Sequence, residues 1–180
     1  MSADWTQEIL DFWFAQPKAR WWTADDDFDA EIRKRFLRLW ETERQHPASN
    51  FLGSADRALA AVILFDQFPR NMFRDQARAF ATDALAREIA DGALAQGFDE
   101  AFVEMARPFF YMPFMHSEAL ADQDRSLALF SQPGQEESLA FAKMHYDVIA
   151  RFGRFPHRNA ALGRDTLPAE EAAIADGAHW

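Results

Sequence analysis

Asp25-Asp-Asp-Phe28-Asp-Ala-Glu-Ile32-Arg-Lys-Arg-Phe36-Leu-Arg-Leu39-Trp40 is the stretch on which the fold class turns. Its apolar residues recur at spacings of three and four, the period of a helix that buries one face. The acidic run Asp25–Asp29 suits the positive end of such a helix, and the pattern carries to about Gln45. A strand would need alternation with a period of two, which this stretch lacks.

The same period recurs outward in both directions. Toward the N-terminus, Asp4 with Gln7 forms a capping-box pattern, Trp5, Ile9, Phe12 and Trp13 share a face, and Pro17 closes the helix. Trp21 and Trp22 fall in the connection and read as a lid over the core. Toward the C-terminus, Ser54 caps a third helix that Pro69 limits. A fourth is expected over Arg74–Asp91, with Phe80, Ala84, Leu85 and Ile89 inward and Gly92 as its stop. Asp99 is expected to cap a fifth, while Pro108 and Pro113 make Arg107–Met115 a kinked or irregular buried segment. Ser117 is expected to open a sixth helix. A break at Pro133-Gly134 precedes a seventh over Glu137–Phe152, with Leu139, Ala142, Tyr146, Ile149 and Ala150 inward and Gly153 after it. A short last helix is capped by Thr166, carries Pro168 in its first turn and precedes Gly177. β-branched residues are scarce and no Asn-Gly or Asp-Gly hairpin occurs. The expectation is an all-α chain of seven to eight helices in antiparallel pairs, forming one helical domain over residues 1–180.

Composition narrows the function classes. The 180 residues carry a formal net charge of -10, which argues against nucleic acid or an anionic membrane as the main partner. The longest apolar runs, Ala58–Phe65 and Pro108–Met115, fall far short of the roughly 20 residues of a spanning helix. Together with the acidic N-terminal stretch, this makes a cytoplasmic protein the expectation. There is no Cys, so disulfides, thiolate metal sites and cysteine nucleophiles are excluded. Of the 19 basic residues 16 are Arg, an excess that favours forked pairing with carboxylates or phosphates.

Three composite motifs stand out: Leu64-Phe-Asp-Gln-Phe-Pro-Arg-Asn-Met-Phe-Arg74; Tyr111-Met-Pro-Phe-Met-His-Ser-Glu118 with Asp122-Gln123; and Arg151-Phe-Gly-Arg-Phe-Pro-His-Arg-Asn159 with Leu162-Gly-Arg164. The first and third echo one another as an apolar helix end, Phe-Pro, Arg-Asn and a further Arg, as if two similar turns left two helices. With Ile9-Leu-Asp-Phe-Trp-Phe14 and Trp21-Trp22, these motifs resemble the bacterial "domain of unknown function 924" family over nearly the whole chain. The resemblance implies a tetratricopeptide-like α-α superhelix and implies no reaction. One departure is visible: Pro113-Phe-Met-His-Ser-Glu118 stands where the family pattern has Pro-Leu-x-His-Ser-Glu.

The motifs also hold the residues able to do chemistry. Arg151, Arg154, Arg158 and Arg164 lie in an acid-free segment of an acidic protein. Two readings stay open for them: caps and ion pairs that fix helix ends, or a pocket for a phosphate or carboxylate to which Arg70 and Arg74 contribute. The candidate ligand-binding set is Asp66, Gln67, Arg70, Asn71, Arg74, His116, Glu118, Gln123, Arg151, Arg154, His157, Arg158, Asn159 and Arg164. Glu118 and His157 are the acid–base candidates. Asp66, at a helix end that disfavours a carboxylate, needs a cationic partner, for which the arginines of the 151–158 segment are candidates. Glu118 or Asp122 is expected to pair with an arginine. His145 reads as a surface or satisfied core histidine. His116, Glu118, Asp122 and His157 match no established metal-ligand spacing, so neither metal nor cofactor is expected. The function expected is binding or turnover of a small phosphorylated or carboxylated metabolite. The alternative is a protein-interaction module whose polar motifs form a structural network. Protein partners and oligomeric state stay open.

Overall fold

The computed structural model describes residues 5–103 and 105–175. The proposed N-cap Asp4 and the terminal Gly177 lie outside them. Every regular element among the described residues is helical, with no strand among them, as the periodicity predicts. They group into two compact units. One comprises the residues through Arg74 together with Arg78–Phe110; the other comprises Asp75–Ala77 with the residues from Tyr111 on.

The first unit holds α1 (Trp5–Phe14), α2 (Asp26–Glu43), α3 (Ala55–Val62), α4 (Phe68–Met72) and α5 (Asp83–Ala95). In α2 the Asp25 side chain accepts from the Phe28 amide, and Phe28, Ile32, Phe36 and Trp40 are buried, one residue per turn. Helices α1 and α3, α3 and α5, and α2 and α4 pack together. Their core is a continuous aromatic cluster. Phe36 meets Phe12 at 5.2 Å and Phe68 at 4.7 Å between ring centroids. Trp13 stacks on Trp21 at 5.6 Å. Trp21 Nε1 donates to the Trp13 carbonyl at 3.0 Å, so Trp21 belongs to the core while Trp22 is exposed. Such aromatic pairs add about 0.5–1.5 kcal/mol each beyond area burial.

Pro69 does not end the third helix. The chain passes from α3 through a π turn, Ile63–Gln67, straight into α4, with Pro69 in the first turn of α4. The Phe68 amide donates to the Ile63 carbonyl, five residues back. An unbroken α-helix would satisfy the Phe65 carbonyl with the amide of residue 69, which proline lacks. Instead the Thr82 hydroxyl donates to Phe65 O at 2.7 Å and accepts from Trp40 Nε1 at 3.1 Å. The tertiary structure thus supplies the donor that the sequence removes.

Other expectations in this unit are corrected. The span after Arg74 is a turn and a 3-10 segment, Ala77–Phe80, before α5. The buried face of α5 is Ala86, Ile89, Ala90 and Ala93; Ala84 is exposed and Leu85 half-buried. Gly92 lies inside α5, where a Cβ would meet Leu52 Cδ1 at 2.4 Å. Close packing of the Leu52 side chain, from the segment before α3, against α5 accounts for it, and Gly97, at φ 69°, makes the left-handed exit. Asp99 opens no α-helix: Phe98–Ala101 is one 3-10 turn and Val103 is exposed.

Helix α6 (Pro108–Met115) begins in the first unit and ends in the second. The segment expected to be kinked or irregular is a continuous buried helix, with Pro108 at its first position and Pro113 inside. The second unit continues with α7 (Leu120–Phe130), α8 (Glu136–Phe152) and α9 (Pro168–Ala175). Helices α7 and α8 pack as a hairpin across the Pro133-Gly134 break. Gly153, at φ 68°, terminates α8. The inner face of α8 is Ala142, His145, Val148 and Ile149; Tyr146 and Leu139 are half-buried and Ala150 exposed. Ser117 is not the cap of α7, whose N-cap is Ala119; its hydroxyl accepts from the Ala119 amide and donates to Asp122 Oδ2 at 2.6 Å. At α9, Thr166 Oγ1 accepts from Asn159, and the Glu170 side chain reaches back to the Leu167 amide at 2.8 Å, one half of a capping box.

Thr82→Val should destabilise the fold by about 2–4 kcal/mol, since two buried groups lose their partner at roughly 1–3 kcal/mol each. Thr82→Ser should retain most of the stability. Urea denaturation of the three proteins checks this.

Candidate functional site

The candidate residues fall into two sets, one in each unit. In the first unit Asp66 and Gln67 sit on the π turn, buried, with Gln67 Nε2 donating to Asp66 Oδ2 at 2.6 Å. Asp66 has a cationic partner one helical turn on: Arg70 Nη1 lies 3.4 Å from its Oδ1. The Arg70 guanidinium also donates to the Asp66 carbonyl and grips Asp83 with two bonds of 3.0 and 3.1 Å. Burial alone pushes the Arg70 pKa down; Asp83 and Asp66 outweigh it, and the net direction is up. Asn71 and Arg74 converge on another carboxylate, Asp29. Asn71 Nδ2 donates to Asp29 Oδ1 at 2.8 Å, and Arg74 binds both carboxylate oxygens.

The second unit repeats this chemistry with a different backbone. Phe155-Pro-His-Arg-Asn159 forms a 3-10 turn after Gly153, whereas the first motif lies within a continuing helix, so the two are not similar exit turns. Arg154 grips Glu170 with bonds of 2.7 and 2.9 Å and donates to the Asp165 carbonyl at 2.8 Å. Asn159 Nδ2 reaches the same Glu170 at 3.1 Å, while its Oδ1 accepts from Arg164 Nε at 3.0 Å. Arg164 then holds Glu118 through bonds of 2.8 and 3.0 Å, and Glu118 also accepts from the Phe155 amide at 2.8 Å. The acid-free segment therefore finds its acids elsewhere in the chain, and Glu118 pairs with an arginine as its sequence setting suggests. Glu170 is 1% exposed. The Arg154 hydrogen bonds hold its carboxyl down at about 2 against the penalty of burial. Burial raises the Glu118 pKa, but Arg164 and the Phe155 amide more than reverse it.

A second cluster gathers around the Phe155 ring. His145, 6% exposed, shares its Nδ1 with the Phe141 carbonyl at 2.8 Å. Its ring is 6.1 Å from that of His116 and 5.5 Å from that of Phe155. His157 lies 5.7 Å from the Phe155 ring, and the Arg158 guanidinium stacks over Phe155 at 4.5 Å. Arg158, itself buried, donates to the His116 carbonyl at 2.9 Å. Gln123 donates to the carbonyls of Met115 and Ser117, the residues flanking His116, at 2.7 Å each. Burial, then His116, Arg158 and His157, pushes the His145 pKa down to about 3. Arg158 is the fixed cation of this imidazole cluster. Arg151 takes no part in the hydrogen-bonded network; it lies over Phe152 on the exposed side of α8.

Asp29, Asp83, Glu170 and Thr82 are the members that sequence reasoning misses, while His145 is the satisfied core histidine of its two readings. Glu170 carried a signal, standing three residues past the residue before Pro168, at the reach-back position of a capping box. Among the described residues no group of three or more His, Asp or Glu is arranged to hold a metal ion, and no helix is long and apolar enough to cross a membrane.

Both buried groups should register in acid. His145 is neutral in the fold and titrates near 6.5 when unfolded, so the stability it contributes is complete above that value and lost as pH falls toward about 3. The Glu170 contribution is present above about 4.5 and lost as pH falls through about 2. Denaturation at stepped pH should show a flatter acid limb for His145→Gln in the first window. Glu170→Gln should lower stability at neutral pH and flatten the limb in the second.

Residues 9–178 match the family model described as a bacterial protein of unknown function, DUF924. The chain is also similar to a solved protein of unknown function from Agrobacterium tumefaciens, ATU0120. The two share 40% identity over 98% of this chain and 100% of that one, with a TM-score of 0.92. Comparison with curated proteins finds no match.

Proposed function

The chain belongs to the DUF924 family of bacterial proteins of unknown function, and we propose that it binds a small anion at the His116–His157–Arg158 cluster of its second unit. The observation that carries this reading is the gathering of these groups with His145 around Phe155. The Arg158 guanidinium, with the imidazoles of His116 and His157 beside it, suits a phosphorylated or carboxylated metabolite. Glu118, kept ionised by Arg164, orients the Phe155 turn beside the cluster. His157 is then the acid–base candidate for any turnover. Arg154, Asn159 and Arg164 hold the turn rather than the ligand. A cytoplasmic location belongs to the same reading.

The second reading is a protein-interaction module in which the arginine network is structural. It draws on Phe141 and Met144, exposed one turn apart on α8.

A thermal-shift screen separates the two. Inorganic phosphate comes first, then phosphorylated and carboxylated metabolites, against wild type, His157→Gln and Lys143→Gln. At 100 times its dissociation constant a ligand adds about 2.7 kcal/mol, or roughly 5–11 °C for a chain of this size. The shift should vanish in His157→Gln and persist in Lys143→Gln. No shift with any anion, or an equal shift in His157→Gln, overturns the proposal.

A further inference from the structure

An open groove of about 450 Å³ in the first unit is lined by Asp26, Asp29, Ala30, Arg33 and Lys34 of α2, with Asn71 and Arg74 opposite. The α2 residues form one helical stripe, at spacings of three and four. Ala30, without side chain beyond Cβ, leaves the middle of the groove free. The charges along the stripe are segregated. Asp29 is taken by Arg74 and Asn71. That leaves the exposed carboxylate of Asp26 at one end and the exposed cations Arg33 and Lys34 at the other. None of these three forms an ion pair among the described residues; Arg33 rests 5.9 Å from the Phe73 ring centroid. Seven residues of helix separate the ends by about 10 Å.

We propose that this groove binds a zwitterionic, peptide-like ligand, with its ammonium group at Asp26 and its carboxylate at Arg33 and Lys34. Charge complementarity selects that occupant: a plain anion would meet Asp26, and a plain cation would meet Arg33 and Lys34. An extended chain advances about 3.3–3.6 Å per residue, so the spacing fits roughly three residues with both ends free. Volume agrees, since small-ligand sites span about 300–1,000 Å³. This site is independent of the His116–His157–Arg158 cluster and stands or falls apart from it.

The test uses trialanine, N-acetyl-trialanine and trialanine amide at low salt, read by amide NMR shifts of Ala30 and Asn71 in the full chain. Trialanine should give saturable shifts at millimolar concentration. Blocking either end should weaken binding about two- to fivefold, the factor an exposed ion pair supplies. Asp26→Asn should weaken trialanine yet leave the acetylated peptide unchanged. The double variant Arg33→Gln/Lys34→Gln should do the same for the free and amidated carboxyl ends. Unchanged resonances elsewhere confirm that the variants fold. No saturable shift with trialanine, or equal binding of the free and blocked peptides, overturns the proposal.

Discussion

The structure depends on arginines that grip buried and half-buried carboxylates, most of them across long stretches of chain. In the second unit the chain of contacts runs Glu118–Arg164–Asn159–Glu170–Arg154. It ties the turn before α7, the Phe155 turn and the start of α9 into one hydrogen-bonded system. In the first unit Arg74 and Asn71 on Asp29, and Arg70 on Asp83 and Asp66, do the same for α2, α4 and α5. Removing one partner of such a pair leaves the other with its hydrogen-bonding groups unsatisfied. The forked geometry explains the preference for Arg over Lys: one guanidinium satisfies two carboxylate oxygens, and Arg164 has donors left for Asn159 and the Phe155 carbonyl.

Arg154 and Arg164 spend their donors on Glu170 and Glu118, and the imidazoles and Arg158 gather around Phe155 in the same unit. The π turn has a related logic. It releases a carbonyl that Pro69 cannot satisfy and hands it to Thr82, while presenting Asp66 and Gln67 from a buried helix surface. π turns recur at functional sites because they re-aim side chains at a cost in backbone order.

Much of the fold was legible where apolar residues follow the helical period: α1, α2 and α8 come within a residue or two of their expected bounds. Proline and glycine misled. Pro69, Pro108 and Pro113 read as breaks, yet a π turn and a helix start absorb the first two. Gly92 reads as a stop, yet its missing Cβ makes room for Leu52. The same limit applies to the site. The Arg-rich segment was plain, and so was the need of Glu118 for an arginine. That Arg74 meets Asp29, 45 residues away, or that Asn159 meets Glu170, depends on which faces the helices turn toward each other. His145 was ambiguous because its four-residue spacing from Phe141 and Ile149 places it on either edge of the α8 stripe.

These arginine–carboxylate contacts are coupled supports of the fold, and not incidental surface pairs. A double-mutant cycle on Arg164→Gln and Glu118→Gln, measured by urea denaturation at neutral pH, tests this most directly. The account predicts a coupling free energy of about 1–3 kcal/mol, because the pair is part-buried, bidentate and shared with Asn159 and Phe155. Additive effects, with coupling below about 0.5 kcal/mol, would contradict it.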